Sequence, residues 1–138
     1  LAGLKINSKY TAVGHSDGDV VLHALIDAML GCVTKGDIGE YFPASKENKN
    51  ISSVILMNKI KKIVKINNII IDQLDCTIIC QKVRLEKHKE KIAANLAQIL
   101  KCNRQKINIK AKTADKIGTI GKSKAIACWI ILKLINHE

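Results

Sequence analysis

Aromatic residues make up only 3% of this 138-residue chain, so its core must be built from Ile, Leu and Val. The five cysteines are odd in number and form no C-x-x-C pair. That argues against a disulfide framework or a structural zinc site and predicts reduced thiols in a reducing compartment. No apolar run approaches the ~18 residues that a membrane-spanning helix needs, so no membrane partner is expected. The opening Leu1-Ala-Gly-Leu-Lys-Ile-Asn7 is too short and too polar for a secretory signal, and it does not begin with Met. A further N-terminal segment is therefore expected upstream of Leu1. Neither an internal repeat nor a linker interrupts residues 1–138, which predicts a single domain large enough to bury a real core.

Acidic residues are scarce: 12 Asp and Glu stand against 23 Lys and Arg, a net charge of +11. Such an excess attracts polyanions regardless of their sequence. The lysines are scattered along the whole chain beside many Ile and Asn, so nucleic-acid binding is not the expected main role.

Strands and helices are expected to alternate. Leu4–Ile6 and Thr11–Val13 read as a hairpin or edge strands. Gly18 to Cys32 reads as a largely buried helix, followed by a loop from Thr34 to Gly39 and a polar, mobile segment from Ser45 to Asn50. An amphipathic helix is expected to begin after Asn50 and reach about Lys65, with Ile69–Cys80 as a β-branched central strand. Glu86–Lys101 reads as a helix, Ile107–Thr113 as a half-buried strand, and Ala125–Ile135 as an apolar closing helix. The expected class is α/β, with helices over a sheet.

The densest chemistry lies in His15-Ser-Asp-Gly-Asp-Val-Val-Leu-His23-Ala-Leu-Ile-Asp27, where two histidines and three carboxylates fall within thirteen residues. Asp17 or Asp19 is placed to cap the helix. Asp19, His23 and Asp27 are spaced i, i+4, i+8 and share one helical face. Polar groups inside an apolar helix must find partners. A lone histidine there would read as a satisfied core residue. One flanked by carboxylates on both sides, with a second histidine at the helix entrance, points to a metal or phosphate site.

Together with Gly36-Asp-Ile-Gly39, Phe42-Pro43, Asp75-Cys-Thr-Ile-Ile-Cys-Gln81 and Ile109-Lys-Ala-Lys-Thr-Ala-Asp-Lys-Ile-Gly118, this block resembles the 2-C-methyl-D-erythritol 2,4-cyclodiphosphate synthase family. Order and spacing agree over nearly the whole chain. The resemblance implies a mixed four-stranded sheet with helices packed on one face, a homotrimer, and active sites shared between neighbouring subunits. It implies closure of 4-diphosphocytidyl-2-C-methyl-D-erythritol 2-phosphate to the cyclic diphosphate with loss of CMP, by metal-assisted phosphoryl transfer. By the same resemblance His23 would ligate zinc, while His15 and Ser16 would contact substrate phosphate, with His15 and Thr113 at the chemistry. Asp37, Ile38 and Gly39 would line the methylerythritol pocket, and Asp27 would orient His23 or the sugar. Cys80, Arg84 and Leu85 would surround the cytidine. Lys112, Thr113 and Asp115 would meet the CDP diphosphate, with Asp115 contacting Mg2+ or Mn2+. Bacterial cytoplasm is the implied compartment, or the stroma of a plastid-type organelle after loss of a transit peptide.

The chain departs from the family pattern in three places. The Asp-x-His that supplies two further zinc ligands does not occur; it is expected upstream of Leu1. Pro43-Ala-Ser-Lys46 lacks the family's carboxylate after proline, and Lys122 stands in a segment where the family carries arginine. Taken without the resemblance, Thr113 and Asp115 read as a strand-to-loop capping pair, and Lys82, Arg84, Lys87, Lys89 and Lys91 as a solvated face. His88 and His137 then read as surface residues, and Cys76 and Cys80 as packing on one side of a strand. The alternative function is a non-catalytic module that binds a cytidine nucleotide or a polyanion.

Overall fold

The computed structural model describes residues 1–65 and 68–136; the side chain of Asn136 is not described. Helix α1 spans Val20–Cys32, the one-turn α2 spans Ile38–Tyr41, and α3 spans Ser53–Ile63. Strand β1 covers Ile69–Ile79, α4 Lys89–Leu100, β2 Ile107–Lys112, the one-turn α5 Gly118–Gly121, and β3 Ala127–Asn136. Short 3-10 turns at Glu86–His88 and Arg104–Lys106 lead into α4 and β2.

The three strands form one mixed sheet in the order β2-β1-β3. β1 and β2 run parallel, with Cys76 opposite Ile109, so a crossover is required, and α4 provides it. β3 lies antiparallel on the other side of β1, with Cys76 opposite Ile130. Period-2 alternation turns Leu74, Cys76 and Ile78 inward; a register shift between Ile71 and Gln73 lets Ile71 face inward too. Helices cover this inner face. Val21, Leu22, Leu25, Ile26, Met29 and Leu30 of α1 are at most 1% exposed, as are Ile92, Ala93 and Leu96 of α4. Each of these side chains larger than alanine contributes about 1.5–3 kcal/mol on leaving water.

Two expected elements differ. Ala125–Ile135 is not a closing helix but contributes to β3. Its residues alternate, with Cys128, Ile130, Leu132 and Leu134 packed against the core while Trp129, Ile131 and Ile135 are exposed at 56%, 72% and 43%. Apolar residues on both faces hid that alternation, because a two-sided apolar run carries no period. Leu4–Ile6 and Thr11–Val13 form no strand. The backbone just before Leu4 is drawn elsewhere: the N–H groups of Ala2 and Gly3 donate to the Asp19 carboxylate at 2.8 and 2.6 Å. Among the described residues the sheet therefore has three strands. The other elements form within a few residues of their expected bounds, and α2 forms inside the stretch expected as loop.

Candidate functional site

α1 begins at its acidic cap. Asp19 is 6% exposed, and its carboxylate accepts from Val21 N and Leu22 N at 3.2 and 3.1 Å, besides Ala2 and Gly3. It satisfies helix-end donors and ties down the chain before them. Just ahead, Gly18 holds φ at +72°, and a Cβ there would lie 2.9 Å from that of Ala12, so the turn requires glycine.

Asp17 turns away from α1 to the start of α3. Its oxygens accept the Ser53 N–H at 2.8 Å and the Ser53 hydroxyl at 2.5 Å, and Asp19 N donates to it at 3.2 Å. Partial burial pulls this carboxyl up, but the Ser53 hydroxyl, the two backbone N–H groups and nearby His23 together hold it below its ordinary value. Ser53 itself is fully buried. Nothing in the sequence motif flags Ser53; its signal was only that a serine pair, Ser52-Ser53, opens a helix.

This clamp fixes the turn that carries His15 and Ser16. The His15 carbonyl accepts Asn50 N at 2.9 Å and its residue is exposed, while the Ser16 hydroxyl lies 3.0 Å from His23 Nε2. One turn further along α1, exposed Asp27 accepts the Ile38 N–H at 2.8 Å. Asp37 caps α2 by accepting from Glu40 N at 3.1 Å. Thus His15, Ser16, His23, Asp27, Asp37, Ile38 and Gly39 gather around α1.

The remaining expected residues gather at the C-terminal ends of the parallel pair, a frequent place for ligands in open α/β sheets. Cys80 N donates to Lys112 O at 3.0 Å, carrying the pairing one residue past β1. Beyond it the Thr113 hydroxyl donates to Asp115 at 3.2 Å. Asp115 and Lys116 hold φ at +48° and +64°, unusual for residues with a Cβ. Arg84 is exposed, whereas the Leu85 side chain is 3% exposed and packs in the core. Among the described residues no hydrogen bond joins this group to the one around α1.

Arg84 shares a shallow pocket of about 220 Å³ with Asn7, Ser8, Lys9, Tyr10, Lys82, Val83, Lys87 and His88. Lys82 Nζ lies 6.0 Å from the centre of the Tyr10 ring. His88 is not a surface residue: it is half-buried, with Nε2 enclosed and without a partner among the described residues. It ends the 3-10 turn Glu86–His88, just before α4 begins. His137 lies outside the described residues. The thiols of Cys76 and Cys128 stand 3.5 Å apart across β1 and β3, and their mutual hydrogen bond together with burial pushes the Cys76 thiol far up. It is a packing group, not a nucleophile.

For a catalytic zinc the donor set is incomplete. The described residues contain no group of three or more His, Cys, Asp or Glu able to hold a metal, and His23 offers one imidazole nitrogen. No helix among the described residues is long and apolar enough to cross a membrane.

The YgbB family model matches residues 1–135. The chain is 46% identical over its full length to the bifunctional enzyme IspD/IspF of Pelagibacter ubique, spanning 38% of that protein. It is 42% identical to the 2-C-methyl-D-erythritol 2,4-cyclodiphosphate synthase of Fusobacterium nucleatum, covering 97% of this chain and 84% of the relative. The solved IspF of Plasmodium falciparum in complex with CDP aligns with TM-score 0.80 and 30% identity, over 91% of this chain and 76% of that one. The motif blocks, the mixed sheet and the length of these matches agree: the chain belongs to the YgbB family, that of the 2-C-methyl-D-erythritol 2,4-cyclodiphosphate synthases.

Proposed function

We propose that this chain is the cyclodiphosphate synthase domain of a phosphorus–oxygen lyase. It takes 4-diphosphocytidyl-2-C-methyl-D-erythritol 2-phosphate; an oxygen of the 2-phosphate attacks the β-phosphorus, the bond to the CMP oxygen breaks, and the cyclic diphosphate closes. The observation that carries this reading is the folding of the family's motif blocks into two prepared half-sites, around α1 and at the ends of β1 and β2.

In such a reaction the protein mainly positions groups and neutralises charge. Ser16 and His15, on the turn before α1, meet the phosphate groups. Asp27 holds the Ile38 backbone so that Asp37, Ile38 and Gly39 shape the wall against the methylerythritol. Cys80 and Arg84 take the cytidine, with Leu85 offering only its backbone because its side chain packs in the core; Lys112 and Thr113 meet the diphosphate. The net charge of +11 favours this polyanionic substrate. Asp115 suits a Mg2+ or Mn2+ shared with substrate phosphates. Zinc at His23 needs donors beyond the described residues, of the kind an Asp-x-His pair would supply.

A fourth strand in the sheet and a homotrimer are part of this reading. The exposed Trp129, Ile131 and Ile135 on the outer face of β3 form an apolar surface of the kind that subunits cover, and subunit contact would bring the α1 half of one copy to the strand-end half of the next. The compartment we infer is the bacterial cytoplasm, or the stroma of a plastid-type organelle.

The experiment is CMP release from the diphosphocytidyl substrate by the full-length protein with Zn2+ and Mg2+. No CMP above background from folded, metal-loaded protein refutes the enzyme. The second reading, a non-catalytic module for a cytidine nucleotide or polyanion, is favoured by the positive charge. It is retained if CDP binds without turnover.

A further inference from the structure

Gln81 stands just past the end of β1, where the chain leaves the sheet. Its Oε1 accepts two backbone N–H groups, from Ala114 at 3.1 Å and from Lys116 at 3.2 Å. These flank Asp115, so one side-chain oxygen gathers both ends of a turn in which two consecutive residues with side chains hold positive φ. Such a conformation persists only where its surroundings over-determine it. A second constraint comes from behind. Gly121 is buried, and a Cβ on it would lie 2.3 Å from the Lys116 carbonyl carbon, so the turn rests directly on α5. The turn also closes on itself through Ile117 N donating to Ala114 O at 2.8 Å.

We infer that Gln81 is a positioning residue for phosphate recognition: with Gly121 behind the turn, it sets where the Thr113 hydroxyl and Asp115 carboxylate stand. This rests on the CDP reading proposed above. The chemistry fits the task. A glutamine oxygen aligns two N–H donors without adding a negative charge beside a diphosphate, which a carboxylate in its place would do. Among the described residues the Gln81 side chain bonds to neither the Thr113 hydroxyl nor the Asp115 carboxylate; it acts through the backbone between and beyond them.

The test compares two ligands on the full-length protein with Mg2+ present: CDP, which reaches the turn, and cytidine, which has no phosphate. Gln81→Leu removes the acceptor at similar size and leaves two N–H groups without their partner, so the CDP Kd should rise about 10-fold. Cytidine affinity should change less than about threefold, because the base is held by the segment before Glu86. Gly121→Ala displaces the turn from its other side and should give the same split between CDP and cytidine, which decides the matter if Gln81→Leu does not fold. Equal weakening of both ligands, or unchanged CDP binding in Gln81→Leu or Gly121→Ala, overturns the positioning role. Wild-type protein that binds no CDP instead overturns the substrate reading on which it rests.

Discussion

Removing the Asp17 carboxylate should destabilise the protein more than a surface aspartate would, because its main partner has no access to water. Ser53 is fully buried and directs both its N–H and its hydroxyl to Asp17. Asp17→Ala leaves two buried donors without an acceptor. A hydrogen bond to a charged group contributes about 1.5–3 kcal/mol. Asp17 itself is exposed, so solvent recovers part of that, and a total of about 3 kcal/mol is expected. For a chain of this size that is a fall in Tm of about 10 °C. Ser53→Ala keeps the N–H bond and loses only the hydroxyl, so it should cost about 1 kcal/mol. In the double variant the hydroxyl is no longer stranded, so the two costs should fall short of additivity by about 1–2 kcal/mol. The pH dependence follows from the folded-state carboxyl lying below its ordinary value of 3.8. A depressed acid stabilises the fold fully above its unfolded pKa and loses that contribution as pH falls through the folded one. The gap between wild type and Asp17→Ala should therefore be constant from about pH 5 to pH 8 and shrink below about pH 4. Urea melts at fixed protein concentration across that range measure both effects. A coupling energy below about 0.5 kcal/mol, or a gap that does not change with pH, refutes the clamp.

His23→Ala should remove bound zinc from full-length protein, measured by metal analysis, while leaving its sedimentation unchanged; unaltered zinc content rejects the ligand role. Gly18→Ala must place an alanine at φ +72° against Ala12, which should cost about 2 kcal/mol in denaturant melts, and a change under about 0.5 kcal/mol would mean the turn relaxes freely. Ile131→Asp puts a charge on the exposed apolar face of β3 and should yield folded monomers in sedimentation velocity; a persistent trimer shows that this face is not buried between subunits.

What the sequence disclosed depended on whether a residue's partner was local. α1, α3 and α4 announce themselves by spacing, and two of them also by caps within the same segment: Asp19 for α1, Ser52 for α3. β3 misleads because its outer face carries Trp129 and isoleucines where a solvated sheet would carry polar residues; the alternation is visible only once the sheet exists. The apparent strand at Leu4–Ile6 had local β character, but Asp19, many residues away in sequence, takes the N–H groups of Ala2 and Gly3 just before it. Motif residues were legible as a set, whereas their supports were not. Ser53 acts by donating across a long sequence separation, and Gln81, though it ends a motif block, by accepting across one; neither residue type marks such a role in advance.

The polar face of α1 shows most clearly how support differs from chemistry, and Asp27 offers the sharpest test of it. The i, i+4, i+8 spacing places Asp19, His23 and Asp27 together, yet each finds a partner in a different direction. Asp19 holds the chain before the helix, His23 meets Ser16, and Asp27 reaches forward to Ile38. His15–Ser16 and Asp37–Gly39 lie on irregular or single-turn backbone with little rigidity of its own. α1, anchored by six buried side chains, lends both segments its position. If Asp27 acts by accepting the Ile38 N–H, the requirement is an oxygen acceptor and not a charge. Asp27→Asn should then keep kcat/KM within about threefold of wild type. Asp27→Ala should lose more than about 10-fold, with displaced backbone resonances at Ile38 and Gly39 in the absence of ligand. Should Asn prove as poor as Ala while the Ile38 resonances stay in place, the charge itself is needed. Asp27 would then work by orienting His23 or the sugar.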